Sequence, residues 1–171
     1  MRSSSVSTER MLAIDPSNRG FGFVVMEGPE CLIDWGEGRV SGDKSRGSLI
    51  KITALIRRYR PEVIIIEDYH HKNCRRAERV RQLLRQIPPL ASVENVKVRL
   101  VARSVANEAF LQSGAVTKHQ VATEIAARFP ELALRMPRVR KPWRGEDPRM
   151  SIFDVTALAL AAFVPLLEAK Q

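Results

Sequence analysis

Short apolar runs separated by turn-forming residues open the chain. Met11 to Ile14 and Phe21 to Met26 are apolar, and Pro16, Ser17, Asn18 and Gly20 lie between them, so the pattern predicts a hairpin. Cys31 to Val40 is long enough for a third strand before a turn at Gly42 and Asp43. From Ser48, apolar residues recur at Leu49, Ile52, Leu55, Ile56 and Tyr59, one face of a helix that Pro61 stops. VIIIED, residues 63 to 68, is a continuous β-branched run ending in acids, which predicts a central strand covered on both faces. Ala77, Val80, Leu83, Leu84 and Ile87 mark a second helix, backed by arginines and ended by Pro88 and Pro89. Val96, Val98 and Leu100 alternate with Lys97 and Arg99, as in a half-exposed edge strand.

Helices follow. Ser104 is placed to cap a short one reaching Leu111, and Thr117 with Gln120 spells a capping box for another reaching Phe129. An irregular stretch, FPELALRMPRVRKPWRGEDPR, precedes the closing helix. There Asp147 suits the cap and Pro148 the first turn, Met150, Phe153, Ala157, Leu160 and Val164 follow at helical spacing, and Pro165 kinks or ends it. The order βββαβαβ followed by helices predicts an α/β domain: a mixed five-stranded sheet, three antiparallel strands then parallel ones, flanked by helices. Residues 1–10 read as a disordered tail and 11–171 as a single domain, since 171 residues suit one core.

Charge narrows the partner. A formal net charge of +9 and a pI near 10.2 point to a polyanion, nucleic acid ahead of membrane. No apolar run approaches the ~20 residues of a membrane span, and the opening MRSSSVSTER has no signal-peptide core. Cys31 and Cys74 have no disulfide or zinc spacing, so the expected setting is the reducing cytoplasm, nucleoid-associated if the source is cellular and intracellular if it is viral.

Three acids stand where an acid is locally out of character: Asp15 and Glu67 at strand ends, and Asp154 inside the closing helix. A carboxylate beside an apolar core is costly unless a cation pairs with it. A hard divalent ion is one such cation, and it needs acids from separated segments to converge. Each acid also has an ordinary reading: Asp15 as a turn residue before Pro16, Glu67 and Asp154 as partners of arginines. Asp147 suits either a cap or a metal. His70 and His71 read as exposed loop residues.

These segments, in this order, resemble the RuvC-like Holliday junction resolvases, within the ribonuclease H-like fold. LAIDPSNRGFGFVVME is similar to that family's first hairpin, with its aspartate at Asp15. PEVIIIEDYHHKN is similar to the segment that carries its glutamate, here Glu67. SVANEAFLQSGAVTKHQVATEIAARF resembles the stretch where a basic residue, matching Lys118, approaches the scissile phosphate. SIFDVTALALAA resembles its closing helix, with Asp154 as the last acid. The resemblance covers nearly all the chain after the tail. Sugar kinases and actin-like ATPases share a similar hairpin but need two such domains. One departure stands out: where the family usually has an acid or histidine one turn before the last aspartate, this chain has Ser151. Asp147, a water or a weakly bound second ion are the possible compensations.

The resemblance implies a metal-dependent endonuclease that resolves four-way DNA junctions as a homodimer, with two Mg²⁺ or Mn²⁺ ions per site. Asp15 would bridge the ions, Glu67 and Asp154 would hold the outer positions, Asp147 and Ser151 would add to the metal set, and Lys118 would stabilise charge on the phosphate. Removing Asp15 is expected to abolish cleavage but spare the fold, by relieving carboxylate crowding. DNA contacts are expected from Lys72, Arg75, Arg76 and Arg79 beyond Glu67, from Arg138, Arg140, Lys141 and Arg144 before the closing helix, and from stacking by Tyr69 and Trp143. Two other functions fit the same sequence: a ribonuclease of this fold acting on structured RNA, and a non-catalytic module that binds branched DNA.

Overall fold

The structure is a computed structural model and describes residues 9–164. Residues 1–8 of the expected tail, and Pro165, lie outside the described residues. Strands β1 (Arg10–Ser17), β2 (Gly20–Glu27) and β3 (Leu32–Arg39) form an antiparallel meander. Helix α1 (Lys44–Tyr59) leads to β4 (Val63–Glu67), and α2 (Glu78–Val93) leads to β5 (Lys97–Val101). Both of these strands are parallel to β1, giving the sheet order β3-β2-β1-β4-β5. Helices α3 (Arg103–Leu111), α4 (Lys118–Arg128) and α5 (Met150–Ala161) follow, with a 3₁₀ turn at Pro130–Arg135.

The period-two alternation of the strands sorts their side chains onto two faces. Met11, Ala13, Val24, Val63 and Ile65 face α3, α4 and α5; Leu12, Ile14, Val25, Ile64 and Ile66 face α1 and α2. Both faces of β1 and β4 are therefore buried, which is why VIIIE contains no polar residue until its end. By the same parity Asp15, two residues beyond Ala13, and Glu67, two beyond Ile65, point to the α5 side. Ala13 pairs with Ile65 in the parallel ladder, so the two acids emerge next to each other.

Several local expectations are corrected. Strand β1 begins at Arg10, one residue into the expected tail, and Glu9 pairs with Arg99. Helix α1 starts at Lys44, where Asp43 caps it by accepting from the Arg46 amide. Pro88 and Pro89 do not end α2, which runs through them to Val93. Ile87 and Ala91, both buried, anchor the turns on either side, and that packing outweighs the backbone hydrogen bonds the prolines remove. Ser104 does not cap α3: Ala102 occupies that position without a side-chain bond. Asp147 does not cap α5 either, because the helix begins at Met150 after Arg149. The capping box of Thr117 and Gln120 forms as expected at the start of α4.

Candidate active site

The C-terminal ends of β1 and β4 deliver Asp15 and Glu67, each 4% exposed, to the edge of the sheet. Helix α5 crosses the same face and brings Asp154 beside them. Gly22 permits this crossing: a Cβ there would lie 3.3 Å from the Ser151 carbonyl oxygen, so any side chain would push the start of the helix away. The three acids thus reach one edge of the sheet from three separate segments.

Three protein cations meet them. Arg76, in the loop before α2, donates to Asp15 Oδ1 and, at 2.7 Å, to Glu67 Oε2. Arg103, the first residue of α3, donates to the same two oxygens at 3.1 Å each and reaches the Asp154 carbonyl at 3.5 Å. Lys118, the first residue of α4, donates to Asp154 Oδ2 at 3.0 Å and also holds Glu146 at 2.9 Å. Two arginines are thus shared between two acids, and neither carboxylate is locked to an arginine of its own. Glu67 and Asp154 are indeed partners of basic residues, so the ordinary reading of each acid describes part of the arrangement.

The titration of these groups follows their surroundings. Burial alone would raise the Glu67 carboxyl, but the Arg103 and Arg76 guanidiniums outweigh it and hold the group below the ordinary carboxylate value. Burial would lower Arg103, yet Asp15, Glu67 and Asp154 together raise it and keep it charged. Asp154 goes the other way: its desolvation exceeds the pull of Lys118, and its carboxyl is raised. Against its own desolvation, Lys118 is raised by Asp154 and Glu146.

A groove of about 330 Å³ runs past this cluster, lined by Asp15, Glu37, Arg39, Arg76, Ser151 and Asp154 among others. Among the described residues no group of three or more His, Cys, Asp or Glu side chains stands in the arrangement of a metal site. The donor set nevertheless suits a hard divalent ion. Its ligand atoms are all carboxylate oxygens, and Asp15 Oδ2, Glu67 Oε1 and Asp154 Oδ1 take no donor among the described residues. Two guanidiniums already stand on Asp15 and Glu67, and an entering ion has to compete with them for the same acids.

The remaining expected residues divide. Asp147 is occupied: its oxygens accept from the Arg149 amide and guanidinium and from the Arg138 amide, and the Arg149 hydrogen bond holds its carboxyl well below the usual range. The Ser151 hydroxyl donates to Glu37 Oε1 at 3.3 Å. Arg76 is committed to the acids instead of standing free for DNA. Tyr69 is buried at 9% exposure against the α1–α2 face, so its ring is not available to stack on a base. His70 is exposed, and the half-buried His71 accepts from the Asn73 amide in the loop. Lys72, Arg75 and Arg79 are exposed on the rim, Arg79 bonding Asn18. Arg138, Arg140, Lys141 and Arg144 are exposed in the proline-rich segment, and Trp143 is 77% exposed beside Lys141. Arg103, Glu146 and Glu37 are site residues that the sequence pattern does not single out. Neutralising Arg138, Arg140, Lys141 and Arg144 together is expected to lower the slope of log K against log salt by about 0.9 for every phosphate that these side chains no longer neutralise. Fluorescence anisotropy with junction DNA across a salt series measures this.

Comparison with known proteins bears on the fold. No protein-family model matches the chain, and no curated protein matches it. Solved structures do. Thermus thermophilus RuvC in complex with a Holliday junction substrate superposes with a TM-score of 0.67 at 18% identity, over 94% of this chain and 96% of that one. A second Thermus thermophilus RuvC structure gives 0.63 at 19% identity, over 93% and 96%. The yeast mitochondrial Holliday junction resolvase gives 0.60 at 14% identity, over 93% and 79%. The chain has the ribonuclease H-like fold of these resolvases, as the resemblance implied. Among the described residues, no helix is long and apolar enough to cross a membrane.

Proposed function

We propose that this protein is a divalent-metal-dependent endonuclease that cuts four-way DNA junctions as a homodimer in the cytoplasm. The observation that carries the reading is the convergence of Asp15, Glu67 and Asp154 on one edge of the sheet, with Lys118 hydrogen-bonded to Asp154. Likeness in fold to resolvases along more than nine-tenths of the chain supports it.

Two bound Mg²⁺ or Mn²⁺ ions would supply an activated water for in-line attack on a phosphodiester and stabilise the leaving oxygen. The chain's own residues do the rest. Asp15, Glu67 and Asp154 would hold the ions. Arg76 and Arg103 keep Glu67 ionised and hold it beside Asp15. Lys118 hangs from the first turn of α4, half-exposed, and can exchange Glu146 for a phosphate oxygen, where its charge offsets what develops in the transition state. The exposed arginines of 138–144 and the indole of Trp143 offer sequence-independent contacts to backbone and bases.

A labelled synthetic four-way DNA junction, incubated beside a hairpin RNA with Mg²⁺ or with EDTA, tests the reading. Paired nicks in the junction that need Mg²⁺ are the expected result. Cleavage of the RNA alone would make the chain a ribonuclease of the same fold. Junction binding without nicking in either Mg²⁺ or Mn²⁺ would make it a binding module, the reading favoured by acids already neutralised by Arg76 and Arg103.

A further inference from the structure

One wall of the groove past the acids carries basic residues that the proposed chemistry does not use. Asn18 and Arg19 form the tip of the β1–β2 hairpin. Gly20, at φ +140°, lets that tip lie against the end of β3, because a Cβ there would collide with the Gly38 carbonyl. The Val40 amide donates to the Arg19 carbonyl at 2.9 Å and closes the contact. Helix α1 starts just beyond, and its Lys44 and Lys51 ammonium groups donate to the consecutive carbonyls of Val40 and Arg39. From α2, Arg79 donates to Asn18 Oδ1 at 2.9 Å. The hairpin, the end of β3, α1 and α2 thus bring Arg19, Arg39, Lys44, Lys51 and Arg79 together on the α1–α2 side of the sheet edge, while the segment leading into α5 forms the other wall.

The charge of this wall is uncompensated. Elsewhere on the surface Arg57, Arg85 and Arg128 each hold a glutamate. Among the described residues Arg19, Lys44, Lys51 and Arg79 meet no carboxylate, and Arg39 meets only Glu37. The Arg39 side chain is 69% exposed, and surface pairs of that kind hold their partners weakly. Clustered like charges repel one another and raise the local potential, so the wall favours a polyanion. A second unmet group lies beneath. Ser48, in the second turn of α1, is fully buried, and its hydroxyl has no partner among the described residues. It lines a cavity of about 10 Å³ with Ser17, Lys44 and Arg79, room for one water. Such a water would pass the hydrogen bond of the buried hydroxyl to an anion at the cavity mouth.

We propose that this wall binds backbone phosphates of the uncut strand of a DNA arm, with the strand to be cut lying over Asp15. Spacing decides which strand it meets. Strand β3 is two strands from β1, about 10 Å, and α1 adds about 5 Å, its radius with side chains. The cations therefore stand roughly 10–15 Å from Asp15. The grooves of B-form DNA are about 6 and 12 Å wide, so a duplex with one phosphate at Asp15 presents its complementary strand to the wall. Contacts of this kind position a duplex without reading its sequence. The inference rests on the nuclease reading above and adds the surface that holds the second strand.

Phosphate-ethylation interference on a labelled four-way DNA junction, bound by the full-length protein in EDTA, tests it, with the nick mapped separately in Mg²⁺. Ethylation is expected to block binding at phosphates of the strand opposite the nick, across one groove. In the triple variant Arg19→Gln, Lys44→Gln, Lys51→Gln those positions should no longer interfere. Its affinity at about 0.1 M salt should fall tenfold or more, and the slope of log K against log salt should drop by about 0.9 for each phosphate given up. Interference confined to the nicked strand, or unchanged in the triple variant, overturns the inference and leaves the nuclease reading standing. If the unaltered chain makes no nick in the junction, the nuclease reading fails and this inference falls with it. Far-ultraviolet circular dichroism of the variant confirms that a lost contact is not a lost fold, and the interference pattern of the unaltered chain tests the strand assignment without any substitution.

Discussion

Arg103→Gln is expected to lower the stability of the metal-free protein by about 2–3 kcal/mol and to make its melting temperature strongly dependent on Mg²⁺. The guanidinium holds the inner oxygens of both Asp15 and Glu67, and among the described residues it alone ties those two acids to the Asp154 carbonyl of α5. Breaking a fully buried ion pair costs about 3–5 kcal/mol. Here Arg76 stays behind to neutralise one of the two acids, and the Arg103 side chain is 27% exposed, so the cost is smaller. For a domain of this size the melting temperature should drop by roughly 5–10 °C. Divalent ions should then return more stability to the variant than to the unaltered chain, because a ligand adds stability through its affinity for the folded state and one competitor for the acids has gone. A differential scanning experiment with and without Mg²⁺ reads both effects. An unchanged melt would mean that Arg103 is a bystander.

The same contacts set the response to acid. The folded-state value of Glu67 is depressed, so its contribution is fully present above its ordinary value near 4.5 and is lost as pH falls through the lower folded value. Asp154 opposes this. Its raised folded-state value means that stability declines as pH climbs from the ordinary 3.8 through that higher value. In Arg103→Gln the Glu67 contribution shrinks while the desolvation of Asp154 persists, so the variant should lose less than the unaltered chain on acidification.

How much of this is legible in the sequence depends on whether a contact is set within one segment or between segments. Strand parity puts Asp15 and Glu67 at the ends of buried runs, and helical spacing puts Asp154 inside an apolar helix; both signals are local, so the chain carries them on its face. Arg76 and Arg103 belong to a loop and to the first residue of a helix, among 28 basic residues, and nothing in the spacing distinguishes the two that turn inward from those that stay in solvent. Glu37 is hidden for another reason. Its face is decided by the pairing of β2 with β3, which shifts register between Val25 and Met26, so counting along the sequence does not align it with Asp15. The burial of Tyr69 gives no local sign because the loop after β4 folds back into the core, a tertiary event without a periodic signature. For the prolines of α2 the sequence displays the backbone cost alone, and the burial that offsets that cost is visible only once the sheet beneath the helix is known.

Asp15→Asn is expected to reduce junction cleavage by at least about 10²–10³-fold, the scale of removing one electrostatic stabiliser from an active site, while junction binding holds or tightens. The substitution keeps the shape of the side chain and removes one negative charge from a groove that must accept phosphates, so affinity at low salt should rise slightly. Stability should fall, contrary to the expectation that losing an acid relieves crowding. Asp15 and Glu67 carry two negative charges and Arg76 and Arg103 two positive ones, so there is no excess of anion to relieve. The amide leaves two guanidiniums facing Glu67 alone and weakens two charge-assisted hydrogen bonds, a loss of about 1.5–3 kcal/mol. Pairing Asp15→Asn with Arg76→Gln restores the balance of charge. The double variant should melt higher than Asp15→Asn while remaining inactive, which separates the structural role of the aspartate from its chemical one. Recovery of cleavage together with stability would place the chemistry on other residues.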